Sequence, residues 1–451
     1  MSEPIIFKGY WWLPDNPEDK VAGVLTCIPH ESIVLELIGS FNSDKKSSIE
    51  VFLDSKEEPL IYGIESGAKE ITLIRCYRSL SYNFDCPFPM VRYTAGYLVY
   101  DKHVKGLDER CNYKAIVKFP ELSYWCFPNV LKKIFSNHTG RTELQVIQFV
   151  RLDEETETIA SSTLEDGTQL SIKQNALYRD GEFGLRPDIQ QYTYLELHNP
   201  AGLTLRNMYG LVRRFKSFLS LATFRSVHYS EFTLLDPDIC QVFSGGKRHF
   251  FPIKIYDSFS INDNPSKISV INFLFSFKTI KDSFGTLIKN WMSTTDNMIP
   301  IKNHLAESIV YKKVFSSVDF LIVVQAIEGF WWRFREEAYR KSNNIRKKDK
   351  THLNTILTEL IEEFRDITAI GELDLDVKAV VDSRHYYSHF VDKASKPATL
   401  DGVELLFLTR KLRVLLICCV LSFIGMKHEM LDAIFRDCNN EELSYEKESS
   451  I

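Results

Sequence analysis

The chain has 451 residues, of which 44% are hydrophobic, 25% charged and 13% aromatic: an ordinary globular composition, too long for one hydrophobic core. Its formal net charge of -5 excludes a global field that attracts nucleic acid, so any polyanion site must be a local basic patch. Nine scattered cysteines without a Cys-x-x-Cys pair exclude a disulfide framework and a zinc knuckle.

The N-terminus, MSEPIIFKGYWW, lacks a basic region followed by an apolar run, so no secretory leader is expected. Up to about residue 260 the pattern has period two, or short apolar runs cut by turn residues, which is the strand signal. Strands are predicted around Ile33–Ile38, Glu70–Ile74, Tyr93–Tyr100 and Lys114–Phe119. Pro14-Asp15-Asn16-Pro17, Asp166-Gly167 and Asp180-Gly181 supply the turns between such runs. Strands without intervening helices favour an antiparallel, sandwich-like arrangement. One helix interrupts them over Leu203–Thr223, where Leu205, Met208, Val212, Phe215, Leu219 and Ala222 recur at helical spacing. Gly245-Gly246-Lys247-Arg248 lacks phosphate-loop spacing and reads as a turn.

After about residue 265 the pattern becomes helical and stays so. Helices are predicted over Ile268–Trp291, Asn303–Lys341, Thr351–Ile370, Leu375–Phe390 and Leu400–Lys427. The fold class is therefore α+β, with a β-rich unit over residues 1–265 (one or two subdomains), a helical connector over 266–302, an all-α unit over 303–436 and an acidic tail over 437–451. The longest apolar stretch, Val414–Met426, follows Arg410, Lys411 and Arg413 and is too short to span a bilayer; a cytoplasmic protein with no membrane contact is expected. Between Arg333 and Lys350 eight Lys or Arg face three acids, a local net of +5. Arg346, Lys347, Lys348 and Lys350 could track an RNA backbone, or simply form a solvated loop. The Trp11-Trp12 and Trp331-Trp332 pairs fit a core or an interface better than a stacking platform.

The stretch Arg384-His385-Tyr386-Tyr387-Ser388-His389 carries residue types suited to one job. Cutting RNA without a metal needs a group to move a proton between the 2'-hydroxyl and the leaving 5'-oxygen, and a cation to hold the phosphate. Histidine, with an ordinary pKa of ~6.5, suits the first role and arginine's planar fork the second. On a continuous helix, residues five apart are separated by about 140°. Arg384 and His389 meet only if the arginine side chain wraps round, if the helix begins near Arg384, or if two chains share a cleft. His385 and His389, four apart, share a face, and with Asp382 they could form a metal site, although no Glu lies between them. The motif could equally be a solvated helix surface.

Gly9-Tyr10-Trp11-Trp12-Leu13-Pro14, Gly23-Val24-Leu25, Leu35 to Phe41, Ile61-Tyr62-Gly63 and Ile71-Thr72-Leu73 resemble the N-terminal domain of the ApeA-like anti-phage proteins. Gln325-Ala326-Ile327-Glu328 and Arg384 to His389 are similar to the helices of that family's C-terminal HEPN domain. The resemblance implies a metal-independent endoribonuclease without a cofactor, acting in abortive infection on host or phage RNA, with tRNA one candidate. It also implies a HEPN homodimer and a sensing or restraining N-terminal domain facing an unidentified phage trigger. Arg384 and His389 would be the catalytic pair, with His385, Glu328, Ser388 and Tyr387 as auxiliary residues. His385 departs from the small polar residue, often Asn, common after the arginine in HEPN nucleases. Glu328 could pair with Arg384 and orient it, or partner Arg335. The alternative function is a non-catalytic module that binds RNA, a nucleotide or a phage protein.

Overall fold

The computed structural model describes residues 3–41, 57–79, 90–126, 131–138, 141–149, 158–179, 188–242, 248–258, 268–294, 296–310, 317–345, 351–441 and 443. Six strands, β1 (Ile5–Trp12), β2 (Val21–Ile28), β3 (Ser32–Ile38), β4 (Glu57–Glu65), β5 (Glu70–Ser79) and β6 (Met90–Tyr100), pair antiparallel in the ring β6-β3-β2-β1-β4-β5 and back to β6. Closure leaves no free edge around this ring. Alternation does the sorting: Ile33, Leu35 and Leu37 of β3 face the barrel core, while Val34 and Glu36 turn outward.

The Trp-Trp motif has a packing reason. Trp11 fills the barrel interior, and a Cβ on Gly63 would stand 2.3 Å from its ring while one on Gly23 would stand 3.0 Å away. Only glycine lets so large a side chain lie flat across two neighbouring strands. Trp12 is also buried, with Lys20 Nζ 5.0 Å above its ring.

The β-rich half is sharper than a generic sandwich, because β6 joins the closed ring to the rest of one continuous sheet. Its first half pairs with β3, whereas Tyr97 to Tyr100 pair with Asp257 to Lys254 of β16 (Arg248–Asp257). From there the sheet runs on through β15 (Glu231–Val242), β8 (Lys114–Lys118), β13 (Asp188–His198) and β12 (Gln169–Arg179) to β11 (Thr158–Thr163). A short pair, β7 (Arg110–Cys111) with β14 (Leu203–Thr204), and a hairpin, β9 (Leu131–His138) with β10 (Arg141–Phe149), complete the strands. Helix α1 (Pro120–Trp125) is an addition that the sequence pattern did not suggest. Helix α2 (Leu205–Thr223) starts two residues later than predicted, because Leu203 and Thr204 form β14 and the Thr204 hydroxyl accepts from Asn207 N at 3.1 Å.

The helical half is more broken than its periodicity suggested. The predicted helix from Ile268 becomes α3 (Phe277–Ile280) and α4 (Phe284–Met292), and the one from Asn303 becomes α5 (Ile299–Val310), α6 (Ser317–Phe334) and α7 (Glu336–Ser342). Arg335 leaves helical geometry between α6 and α7, and its guanidinium holds Glu363 at 2.7 Å on α8 (Leu353–Glu363). There follow α9 (Thr368–Gly371), α10 (Val377–His389), α11 (Gly402–Phe423) and α12 (His428–Asp437). Among the described residues no helix is long and apolar enough to cross a membrane, and Val414 to Leu421 are buried in α11. The expected connector over 266–302 is part of the core: Phe275, Phe284, Leu287 and Trp291 are buried, and one apolar cluster runs from the extended sheet into the helices. Ser162 Oγ donates to Gly285 O at 2.8 Å and Asn290 Nδ2 to Ile424 O at 2.8 Å along this join.

Replacing Gly63 by valine forces Cβ and two methyls into the Trp11 ring. Overpacking of this kind costs about 1–3 kcal/mol, so Gly63→Val should lower the denaturation midpoint of the barrel followed by tryptophan fluorescence; an unchanged midpoint would disprove the Trp11 packing role.

Candidate active site

Helix α10 is set by its own sequence. Asp376 caps it, Oδ1 accepting from Ala379 N at 2.9 Å, and Ala379, Val380, Asp382 and Ser383 are buried on the face that meets α6 and α8. At the other end Phe390 adopts a left-handed backbone (φ 52°) and stops the helix directly after His389. Phe390 is 90% exposed.

Arg384 and His389 meet within one chain, with Nη1 2.9 Å from Nε2. Of the three routes open to the sequence, the long arginine side chain wrapping round is the one observed; α10 begins at Val377, well before Arg384. A guanidinium only donates, so Nε2 of His389 is the acceptor and the ring proton sits on Nδ1. Behind the pair, Glu328 of α6 places Oε2 3.5 Å from Arg384 Nη2. Burial raises the Glu328 carboxyl pKa and Arg384 works against that rise. Glu328 is thus the partner of Arg384, and Arg335 takes Glu363 instead.

The remaining predicted residues divide. His385 stands beside the pair, its ring centroid 5.9 Å from that of His389. Its pKa is lowered by partial burial first, then by the charges of Lys396 and Arg384. Tyr387 turns away to the start of α11, where its hydroxyl donates to Leu400 O at 3.0 Å and to Asp401 Oδ1 at 3.2 Å; burial and the Asp401 charge push its pKa up to about 12. Ser388 spends its hydroxyl on the carbonyl of Arg384, one turn back. Both hydroxyls thus bond away from the Arg384–His389 contact.

Asp382, the possible third metal ligand, accepts from Ala398 N at 3.3 Å and lies 3.6 Å from Lys396 Nζ. Among the described residues no three His, Cys, Asp or Glu side chains cluster as a metal site. Lys396 is a residue that sequence reasoning missed: it lies in a loop with no periodic signal, and only the fold brings it near His385. Arg346, Lys347, Lys348 and Lys350 lie outside the described residues. The cations just before them are engaged, Arg340 with Glu336 at 2.8 Å and Lys341 with Glu337 at 2.5 Å.

Two family models match the chain: ApeA N-terminal domain 1 over residues 6–291 and Apea-like HEPN over residues 321–430. The second spans Glu328, Arg384 and His389. No curated protein and no solved structure matches.

His385 should titrate below the ordinary histidine value of about 6.5. With the folded pKa the lower one, the unfolded chain binds the proton first as pH falls, so this group withdraws stability below about pH 6.5 and leaves it intact above. Lys396→Ala should raise the His385 pKa, read from the ring Cε1–H shift in a proton NMR titration; an unmoved value would exclude the assigned charge effect.

Proposed function

Since the chain belongs to the ApeA family and ends in an Apea-like HEPN domain, we propose that it is a metal-independent endoribonuclease of anti-phage defence, acting in the cytoplasm by abortive infection. The observation that carries this reading is the buried Glu328 holding Arg384, which in turn holds the acceptor nitrogen of His389 at 2.9 Å. An arginine fork and a neutral histidine side by side supply the two requirements of RNA cleavage by its own 2'-hydroxyl.

In the resting arrangement Arg384 covers Nε2 of His389. A phosphate entering the site competes for the guanidinium with two oxygens, which is a stronger interaction than a neutral imidazole offers. Arg384 then turns to the phosphate and Nε2 is free to take the 2'-hydroxyl proton. The 2'-oxygen attacks phosphorus, the bond from phosphorus to the 5'-oxygen breaks, and the 5'-oxygen leaves with the proton that Nε2 took up, so the products carry a 2',3'-cyclic phosphate and a 5'-hydroxyl. Glu328 keeps the guanidinium in reach throughout, since Nη2 stays with its carboxylate. His385, with its lowered pKa, favours a neutral second imidazole at the site.

The substrate is host or phage RNA, with tRNA one candidate. A homodimer through the HEPN domain is the expected assembly. Phe390, Val318 and Val403 leave exposed apolar side chains near the ends of α10, α6 and α11, the three helices that Tyr387 joins through Phe320, Leu400 and Asp401. The N-terminal half would then sense the phage trigger and restrain the nuclease.

Arg384→Ala and His389→Ala should each reduce RNA cleavage in EDTA about 100-fold or more, measured on total RNA with end-mapping of 5'-hydroxyl termini. Full cleavage by both variants would refute the site, and RNA binding without cleavage by the unaltered chain would favour the binding module. Phe390→Asp should shift the mass measured by light scattering from dimer to monomer; an unshifted dimer would remove Phe390 from the interface.

A further inference from the structure

We propose that the cavity between the barrel and α2 binds a nucleotide, at a site that shares no residue with the Arg384–His389 pair and is independent of the ribonuclease reading. It has a volume of about 470 Å³, the size of a small-ligand pocket, and is lined by Arg75, Tyr97, Arg206, Tyr209, Arg213 and Lys216. Four cations therefore face a cavity in a chain whose overall charge is negative.

Arg75 is the most telling of them. It lies in the middle of β5 yet has φ +57°, a left-handed backbone that a non-glycine strand residue adopts only at a cost. The registers explain how the strand tolerates it. Glu58↔Cys76 and Leu60↔Ile74 leave Pro59 opposite Arg75 on one side, and Ile74↔Tyr97 and Cys76↔Ala95 leave Gly96 opposite on the other. Pro59 has no N–H to offer, and the Gly96 carbonyl accepts from Ser258 N at 3.2 Å. The ladder is open at this one position, and the arginine lines the cavity. Among the described residues the guanidinium of neither Arg75 nor Arg213 enters a side-chain hydrogen bond or an ion pair.

The other groups fit the same ligand. Arg206 forms a forked pair with Asp108 at 2.6 and 2.8 Å on the surface, a contact that a phosphate can replace. Asp257, the one carboxylate of the lining, is engaged by His30 Nδ1 at 3.4 Å and by the Tyr229 hydroxyl. Tyr97 and Tyr209 stand 4.8 Å apart by ring centroids and give an aromatic wall beside the cations. Guanidinium forks next to tyrosine rings suit an aromatic base carrying phosphates. A volume of about 470 Å³ suits one nucleotide. Arg213 and Lys216 stand on α2 beside Arg214, whose Nη1 donates to Met292 O at 2.8 Å and whose carbonyl accepts from Trp291 Nε1 at 2.9 Å. The helix that meets the ligand is thus the helix that docks the C-terminal half.

Calorimetric titration of the full chain with the four ribonucleoside diphosphates, pyrophosphate, adenosine and a ten-residue RNA tests this. At least one diphosphate should bind with one site per chain, with pyrophosphate and the nucleoside at least tenfold weaker. Arg75→Ala should weaken it tenfold or more. Gly210→Leu should do the same: a Cβ at Gly210 meets nothing within 4 Å, so leucine fills the cavity from a helix that it suits better than glycine. Both variants should keep the circular dichroism and melting profile of the unaltered chain. No binding by any diphosphate, pyrophosphate binding as tightly, RNA binding alone, or affinity untouched by the two variants would each overturn the proposal; a failure here leaves the RNA-cleavage experiment unaffected.

Discussion

The guanidinium of Arg384 lies between a buried carboxylate and an imidazole, and the geometry of the motif depends on that placement. Glu328 is nearly inaccessible on an apolar helix, where an unpaired carboxylate is costly. Arg384 compensates it across the gap between α6 and α10. That pairing leaves one end of the guanidinium to meet Nε2 of His389. Because the arginine can only donate, Nε2 of His389 is the accepting atom of that contact. Packing on α6 therefore sets where a guanidinium on α10 points.

Positioning of that helix pair is itself a matter of the wider core. Ser383 accepts from Leu400 N and Tyr387 bonds Leu400 O, so α10 is stitched to the segment entering α11. Deeper in, Arg413 of α11 binds Ser308 and Asp319, joining α5, α6 and α11 through one buried cation. The same apolar cluster extends through Trp291 and Phe284 to the extended sheet, and β6 carries that sheet into the barrel. One apolar cluster thus includes residues of both halves.

Periodicity was a good guide wherever burial is one-sided. β3, β5, β6, β8 and α2 lie close to where alternation or helical spacing put them, because a strand or helix with one face in the core shows that face in its sequence. It was a poor guide to interruptions: Arg335 ends α6 through a contact with Glu363, 28 positions away, and no local signal records such a contact. The motif at Arg384 shows the same limit. Angular spacing on an ideal helix separated Arg384 from His389, but it describes Cβ directions and omits the reach of a four-bond side chain at a helix end. Tyr387 and Ser388 were legible as neighbours of the pair, not as groups turned to Asp401 and to the Arg384 carbonyl.

By itself the sequence determined the order of β-rich and helical halves, the extent of the main helix in the first half, and the motif residues as candidates, since these rest on local composition and period. Only the tertiary structure decided that six strands close into a barrel around Trp11, that Glu328 faces Arg384 while Arg335 faces Glu363, and that Arg384 and His389 touch in one chain. Closure, ion-pair choice and side-chain reach are long-range relations, fixed by which surfaces the whole core brings together, and no window of neighbouring residues contains them.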